Sequence, residues 1–191
     1  SVLIFETEDH LRRRGGKAWG EVLSGRSTTD AYHLVQPDPE GRQAVKAINS
    51  ALQKAGLNPA AIADDVYVNA HGTSTVYNDS METVALKAVF GNDARRLHVS
   101  STKSMLGHMI GAACAIEMSA WVLALTTGML PPTINYDTPD PGCDLNYIPN
   151  QAIQKRVKFA INNSFGFGGH NVSLVVARVD DPTLQRNLDS V

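Results

Sequence analysis

The sequence predicts an α/β domain with a mostly parallel sheet and a closing antiparallel pair of strands. Short apolar runs rich in β-branched residues alternate with segments of helical periodicity, and this alternation is typical of parallel sheets. Near the C-terminal end, two strand-like runs flank one Gly-rich turn, Ser164–Gly169, which predicts the antiparallel pair.

The composition indicates a folded domain. Of the 191 residues 43% are apolar and 19% are charged, and the net charge is −2. Enough apolar surface exists to offset the entropy of ordering, so disorder is excluded as the dominant state. A nucleic-acid binder that relies on a strong positive field does not fit this charge. The two cysteines, Cys114 and Cys143, form no CxxC motif, which excludes a disulfide scaffold or a zinc site and favours a reducing compartment.

The first third of the chain contains strand and helix signals separated by glycine and proline. The helix over 42–55 has an apolar stripe and ends at Gly56. A loop is predicted from Ser27 to Gly41 because the segment is polar and contains two prolines. The predicted elements are a buried strand Val2–Glu6, a helix Asp9–Arg14, a strand Ala18–Ser24 and the helix Arg42–Ala55.

The middle of the chain repeats a strand–loop–helix order twice. Asp79 with Glu82 three residues later has the pattern of a capping box, so a helix is predicted to begin there and to end at Gly91. The strands Val66–Val68 and Leu97–Val99 precede the two loops. The second loop, 100–107, leads into a long apolar segment.

That apolar segment, Met109–Leu130, could be mistaken for a membrane span. It is 22 residues long and Glu117 is its only charge. A carboxylate in mid-span is costly in lipid, and small residues let a helix pack closely in a protein core. We therefore predict a buried core helix and no membrane span. After it, the sequence predicts an irregular connection over 131–144 and the strands Val157–Ile161 and Val172–Val179.

Several polar residues with catalytic chemistry lie where predicted strands end, which is where ligand crevices form in open α/β sheets. His71 alone is also typical of a satisfied buried histidine. His108 is predicted to open a helix, where partial positive charge keeps the ring neutral and suited to hydrogen-bond an oxyanion. Glu117 needs a partner inside an apolar helix, and Lys103 is the obvious one.

The Gly-rich turn around Phe165 and Phe167 is not a dinucleotide-binding fingerprint, because its spacing differs and no helix follows it. Two interpretations stay open from the residues alone. The turn is either a mobile aromatic gate or a tight hairpin with one packed phenylalanine.

Three ordered motifs resemble the β-ketoacyl-acyl-carrier-protein synthases of the thiolase superfamily, with the KAS II-like members of the KAS I/II branch most similar. They are Val68–Thr75 (VNAHGTST), Ser101–His108 (STKSMLGH) and Asn163–Asn171 (NSFGFGGHN). Thiolases, KAS III-like enzymes and modular polyketide synthases fit less well at these motifs. One departure is Val35, which stands where KAS II-type relatives usually have Thr, in a loop facing the gate.

The resemblance implies a thiolase-like layered αβαβα fold of two similar halves, of which this chain is the C-terminal half with a five-stranded mixed sheet. Residues 1–8 are then expected to be the last strand of the N-terminal half, and 9–191 the C-terminal ketoacyl-synthase domain. A strand that begins at Ser1 without a methionine suggests a cut through a longer polypeptide. The family's nucleophilic Cys would lie in the absent half, and Cys114 and Cys143 are expected to be structural.

The resemblance also implies a reaction, the decarboxylative condensation of malonyl-carrier protein with an acyl-enzyme thioester. His71 and His108 would donate hydrogen bonds to the malonyl thioester oxygen as negative charge builds there. Lys103 would orient the site and pair with Glu117. The other implied site residues are Thr73 and Thr75 for the phosphopantetheine arm, Phe167 for the gate over the acyl pocket, Phe165 beside the malonyl end, and Gly166, Gly168 and Gly169 for the turn.

The family further implies what the chain binds. No cofactor is expected, because substrates arrive on the phosphopantetheine of acyl carrier protein. Asn69, Glu117 and Asn162 match a position where some relatives hold a monovalent cation, and no firmer metal site is expected. The expected partners are an N-terminal ketosynthase half, on the same or a separate chain, and acyl carrier protein. Complete synthases are expected to dimerise in the cytoplasm or in a plastid or mitochondrion.

Two other classes of function remain open. One is a non-catalytic partner subunit of a ketosynthase heterodimer that sets chain length. The presence of His71, Lys103 and His108 together argues against it, because a silent subunit does not need them. The other is a free-standing binding module, which would require this half to be stable alone.

Overall fold

The computed structural model describes residues 2–179, and residues 180–191 of the predicted C-terminal domain lie outside them together with Ser1. The helices and strands follow one another as α1 (Glu8–Arg13), β1 (Glu21–Thr29), α2 (Arg42–Lys54), α3 (Pro59–Ile62), β2 (Val66–Asn69), α4 (Val76–Phe90), β3 (His98–Ser100), α5 (Lys103–Leu106), α6 (Ala113–Thr127), β4 (Met129–Leu130), β5 (Ile153–Gln154), β6 (Phe159–Gly166) and β7 (His170–Ala177).

The main sheet has five strands in the order β1-β7-β6-β2-β3. β2 runs parallel to β3 and to β6, whereas β7 runs antiparallel to β6 and to β1. The sheet is therefore mixed, as the resemblance implies. The alternation of strands and helices suggested too many parallel pairs, because apolar patterning reports which residues are buried and not the direction of a strand.

Alternate residues of the central strands face two separate helical layers. Val68 packs with α2 and α4 on one face, and the neighbouring Tyr67 packs with Trp121 of α6 on the other. This alternation follows from the two-residue period of a strand. The domain consequently has three layers, helix–sheet–helix, with apolar cores on both sides of the sheet.

The N-terminal segment differs from its prediction. Val2–Glu6 forms no strand, and the Ile4 and Phe5 side chains are 89% and 66% exposed. A buried strand needs a neighbouring strand to accept its hydrogen bonds, and no strand of the described residues pairs with this segment. β1 also extends past the predicted strand end to Thr29, because its polar residues pair with β7 up to His170.

The helix that carries Glu82 begins earlier than its capping pattern predicts. α4 starts at Val76 with Thr75 at the N-cap, so Asp79 lies in the first turn rather than at the cap. This frees the Glu82 carboxylate from a capping role. The carboxylate instead contacts the turn that follows β2.

The long apolar helix belongs to the core of the domain. The stretch 110–127 is the one helix among residues 2–179 that is long and apolar enough to cross a membrane by length and composition. Trp121 and Leu125 are fully buried against the sheet, and Glu117 is 2% exposed in an ion pair with Lys103. These contacts are those of the predicted core helix. It is shorter than predicted and ends at Gly128, whose φ of 73° forms a left-handed C-cap.

Candidate active site

His71 lies in the turn that follows β2, at the carboxyl end of that strand. The Ala70 N–H still donates to the Ser100 carbonyl of β3 at 2.9 Å, so the sheet holds the chain up to the residue before His71. The His71 side chain is 8% exposed. Burial, together with nearby Lys103 and His108, lowers the pKa of His71 to about 3, so the imidazole is neutral at pH 7.

His108 meets His71 at this edge of the sheet. The ring centroids are 5.4 Å apart and the ring planes are at 87°. His108 does not open a helix as predicted, since it lies between α5 and a 3-10 turn that begins at Ile110. Its orientation comes instead from the Ile110 N–H, which donates to His108 Nδ1 at 3.1 Å. In the neutral ring the proton is then on Nε2, which makes Nε2 a donor.

Lys103 and Glu117 form the predicted buried pair. Lys103 Nζ lies 2.5 Å from Glu117 Oε1, and the two side chains are 5% and 3% exposed. The two side chains therefore form a buried ion pair. It anchors α5, which carries Lys103, to α6. Because both side chains are buried, removal of either one would leave an unpaired charge in the core, which is energetically costly.

The predicted cation position is a closed hydrogen-bond network. Asn69 Nδ2 donates to Asn162 Oδ1 at 2.7 Å and to Glu117 Oε2 at 3.3 Å, and Asn69 Oδ1 accepts from Thr102 Oγ1 at 2.9 Å. The structure does bring the three predicted side chains together. Asn69 Oδ1, Asn162 Oδ1 and Glu117 Oε2 accept these hydrogen bonds and Glu117 Oε1 is in the ion pair with Lys103, so a cation here would share each oxygen with a protein donor.

Thr73 and Thr75 line a cavity of about 620 Å³ next to the two histidines. Their hydroxyl oxygens are 3.0 Å apart, and Lys103 and His108 line the same cavity. Asp79, Cys143 and Tyr147 also line it. A larger cavity of about 850 Å³ lies between the N-terminal segment and α6, and none of the predicted site residues lines it.

The Gly-rich turn joins β6 to β7, and its two aromatic residues differ in environment. Phe165 is 8% exposed and its ring centroid lies 5.8 Å from that of His71, whereas Phe167 at the tip is 78% exposed. The turn rests on the loop that contains Val35. The Gly168 N–H donates to the Leu34 carbonyl and the Asp30 N–H donates to the Gly169 carbonyl, both at 2.8 Å.

Both cysteines occupy environments that disfavour a thiolate. Burial raises the pKa of the Cys114 thiol in α6 and of the Cys143 thiol in the connection before β5. A nucleophilic cysteine needs the opposite shift. These environments agree with the structural role expected for both residues.

Three polar residues around His71 have contacts that the sequence did not indicate. Glu82 of α4 accepts hydrogen bonds from the backbone amides of His71 and Gly72 and from the Asn163 side chain, each at 3.1 Å. Ser101 Oγ donates to the Gly72 carbonyl at 2.7 Å. In the sequence, the capping pattern with Asp79 assigned Glu82 to the start of a helix. Its contact with the turn at His71 was therefore not predicted.

Comparison with known proteins identifies the family. The model of the "Beta-ketoacyl synthase, C-terminal domain" matches residues 19–137, more than half of the chain. The chain belongs to the β-ketoacyl synthase family. The match includes two of the three motifs, with His71, Lys103 and His108.

Curated β-ketoacyl synthases are similar over nearly the whole chain. The 3-oxoacyl-[acyl-carrier-protein] synthase 2 of Synechocystis sp. is 49% identical over 91% of this chain, and that of Coxiella burnetii is 43% identical over 95%. The chain spans 41% and 43% of these two relatives. It therefore corresponds to less than half the length of a curated synthase.

Solved ketosynthases have the same fold. A ketosynthase in complex with its type II polyketide acyl-carrier protein has a TM-score of 0.87 and 39% identity over 92% of this chain and 42% of its own. A β-ketoacyl synthase from Burkholderia phymatum has a TM-score of 0.83 and 35% identity over 91% of this chain and 41% of its own. The thiolase-like fold implied by the sequence motifs is thus confirmed.

Proposed function

We propose that this chain forms the C-terminal half of a 3-oxoacyl-[acyl-carrier-protein] synthase, a transferase of fatty-acid or type II polyketide elongation. The observation that carries the proposal is the juxtaposition of His71 and His108 beside the buried Lys103. The curated relatives carry this activity in their names. The division of the chain at residue 8 and the cytoplasmic location expected from the sequence are parts of the same proposal.

Two adjacent imidazoles that can donate hydrogen bonds suit an enzyme that stabilises an enolate. An acyl group is first carried as a thioester on a cysteine of the N-terminal half. The malonyl thioester then breaks its bond to the carboxylate, CO₂ leaves, and the electron pair becomes an enolate. Hydrogen bonds from His71 and His108 to the enolate oxygen would lower this barrier, each by about 3 kcal/mol as for one oxyanion-hole donor.

The condensation then forms the carbon–carbon bond. The enolate carbon attacks the acyl thioester carbonyl, the carbon–sulfur bond breaks, and the cysteine leaves as thiolate. Lys103, paired with Glu117, holds positive charge near the two histidines and contributes to the lowered pKa of His71. This environment keeps the His71 imidazole as a hydrogen-bond donor rather than an acid.

A cavity leads to the two histidines and can hold the arm that carries the substrate. Thr73 and Thr75 present hydroxyls to the cavity that Lys103 and His108 also line. We assign this cavity to the phosphopantetheine arm of acyl carrier protein, the exposed Phe167 to the gate over the acyl pocket, and Phe165 to the malonyl end. Gly166, Gly168 and Gly169 provide the turn. No cofactor takes part in this scheme.

The N-terminal half completes the site. Both cysteines of this chain have raised pKa values, which supports a nucleophile supplied from elsewhere. The required partners are that half, acyl carrier protein and a second copy of the complete synthase. A non-catalytic, chain-length-setting subunit is the alternative, and it gives no reason for both histidines and the buried lysine to be assembled.

Reconstitution tests the proposal. The chain is expressed alone and with its N-terminal half, and condensation is measured with acyl- and malonyl-carrier proteins. We expect no product from the chain alone and 3-oxoacyl product from the assembled protein. His10→Gln in the exposed helix α1 serves as the matched histidine control and should keep full activity. Condensation by the isolated chain, or an inert residue at the nucleophile position of the other half, would refute the proposal.

A further inference from the structure

The Glu82 carboxylate is buried but its hydrogen bonds lead to the active-site turn. The side chain is on the inner face of α4 and is 3% exposed. Oε1 accepts from the His71 N–H and Oε2 from the Gly72 N–H, both at 3.1 Å. Two adjacent backbone amides thus end on one carboxylate, so the path of the chain through His71 is fixed from the helix side.

The opposite side of the turn is held as well. Gly72 has a φ of 41°, and a Cβ there would lie 2.5 Å from the Cβ of Ser101. Ser101 Oγ donates to the Gly72 carbonyl at 2.7 Å. The turn therefore lies between the Glu82 carboxylate and the residues after β3, with no room to shift toward Ser101.

Asn163 extends this arrangement to the third active-site motif. Its Nδ2 donates to Glu82 Oε1 at 3.1 Å, and Asn163 is in β6 two residues before Phe165. The ring of Phe165 in turn lies against that of His71, with centroids 5.8 Å apart. The Glu82 carboxylate thus accepts hydrogen bonds both from the backbone at His71 and from β6, the strand that carries Phe165.

Keeping the buried Glu82 carboxylate ionised costs free energy. Burial raises the pKa of Glu82 to about 7, despite the hydrogen bonds that favour the charged form. Asp79 on the same helix raises it further. A buried carboxylate kept at such a cost is consistent with a function beyond packing.

We propose that Glu82 is the positioning residue of His71, since its carboxylate fixes the His71–Gly72 backbone and thereby aims the His71 imidazole at the same point as that of His108. Its effect on catalysis rests on the function proposed above. Its effect on the placement of the His71 ring does not.

The test compares Glu82→Gln with wild type in the complete synthase at pH 8, where the carboxylate is ionised. Gln keeps the side-chain shape but replaces one acceptor oxygen by an NH₂ group that faces an N–H donor. We expect malonyl decarboxylation to fall by ~10²-fold, the cost of a small misplacement at a reacting centre. Acyl loading of the cysteine in the N-terminal half, which does not form the malonyl enolate, should keep its rate.

Thr83→Val is the matched control. Thr83 is the next residue of α4, is 2% exposed, and bonds to Asp79 and Tyr147 but not to the His71 turn. We expect both half-reactions to survive this change. Equal losses of loading and decarboxylation in Glu82→Gln would indicate a merely structural role and overturn the proposal. If Glu82→Gln does not fold, Glu82→Asp, which keeps the charge but is one methylene shorter, is measured in its place.

A spectroscopic measurement separates this proposal from the proposed function. In the complete protein the ring-to-ring nuclear Overhauser contact between His71 and Phe165 should weaken in Glu82→Gln and persist in Thr83→Val. If the wild-type protein shows no decarboxylation, the proposed function fails while this measurement still decides the role of Glu82. An unchanged contact in Glu82→Gln would overturn the positioning role.

Discussion

His71 and His108 lie edge to face, with ring centroids 5.4 Å apart, although they belong to turns that follow different strands. β2 and β3 are parallel neighbours, so both turns leave the sheet at the same edge. His71 is neutral through burial, and His108 presents Nε2–H because its Nδ1 accepts from the Ile110 N–H. The two imidazole rings are thereby brought together at one edge of the sheet.

Replacing either histidine should remove one of these donors. We expect His71→Ala and His108→Ala each to slow malonyl decarboxylation by the assembled synthase by ~10²–10³-fold, as for the loss of one oxyanion-hole donor. The double variant should lose less than the product of the two single effects, because the donors act on one oxygen. Release of CO₂ from malonyl-carrier protein measures this. A single variant at wild-type rate would contradict the assignment.

The buried position of His71 should suppress its titration. Its pKa is lowered to about 3, so the imidazole ¹⁵N shifts of His71 should not change between pH 5 and 8. The unfolded chain binds a proton at His71 below about pH 6.5 and the folded chain does not. Stability contributed by neutral His71 is therefore lost as pH falls from about 6.5 toward 3. A midpoint above pH 6 would show that the ring is not buried as described.

Breaking the Lys103–Glu117 pair should destabilise the domain far more than breaking a surface pair. Lys103→Met leaves a buried carboxylate without its cation, and we expect a loss of about 3–5 kcal/mol. Asp65→Asn, which breaks the half-exposed Lys158–Asp65 pair, should cost less than about 1 kcal/mol. Chemical denaturation of the assembled protein measures both free energies. Similar losses in the two variants would contradict the burial of the inner pair.

The two adjacent glycines of the β6–β7 turn should differ in their tolerance of a side chain. Both have left-handed φ values, 79° at Gly168 and 77° at Gly169. An added Cβ meets His170 at 3.4 Å in Gly168→Ala, but it lies 2.8 Å from the Asp30 Cβ in Gly169→Ala. Gly168→Ala should cost only about 1–2 kcal/mol of backbone strain.

Gly169→Ala should in addition separate the turn from the Asp30 loop. Hydrogen exchange at the Asp30 amide, which donates to the Gly169 carbonyl, should then be faster than in Gly168→Ala. If the gate assignment of Phe167 is right, acyl loading should also change more in Gly169→Ala. Equal exchange in the two variants would contradict the packing of the turn against this loop.

Local patterns predicted much of the secondary structure and the candidate site. The apolar stripe over 42–55 predicts α2, and the cost of burying Glu117 alone predicts its pairing with Lys103. Other predictions were wrong where they depended on distant parts of the chain. Val2–Glu6 has the composition of a strand but no neighbouring strand to pair with, and His108 follows a loop whose short helices its sequence does not signal.

By itself the sequence determined the α/β class, the two-residue and helical periods, and the residue types available for chemistry, because these depend on neighbouring side chains and their burial. Only the tertiary structure decided the order of the strands in the sheet, the distance between His71 and His108, and the reach of Glu82 to the turn after β2. Those features come from packing elements that are far apart in the chain. No local pattern encodes a contact whose geometry depends on how two layers meet across a sheet.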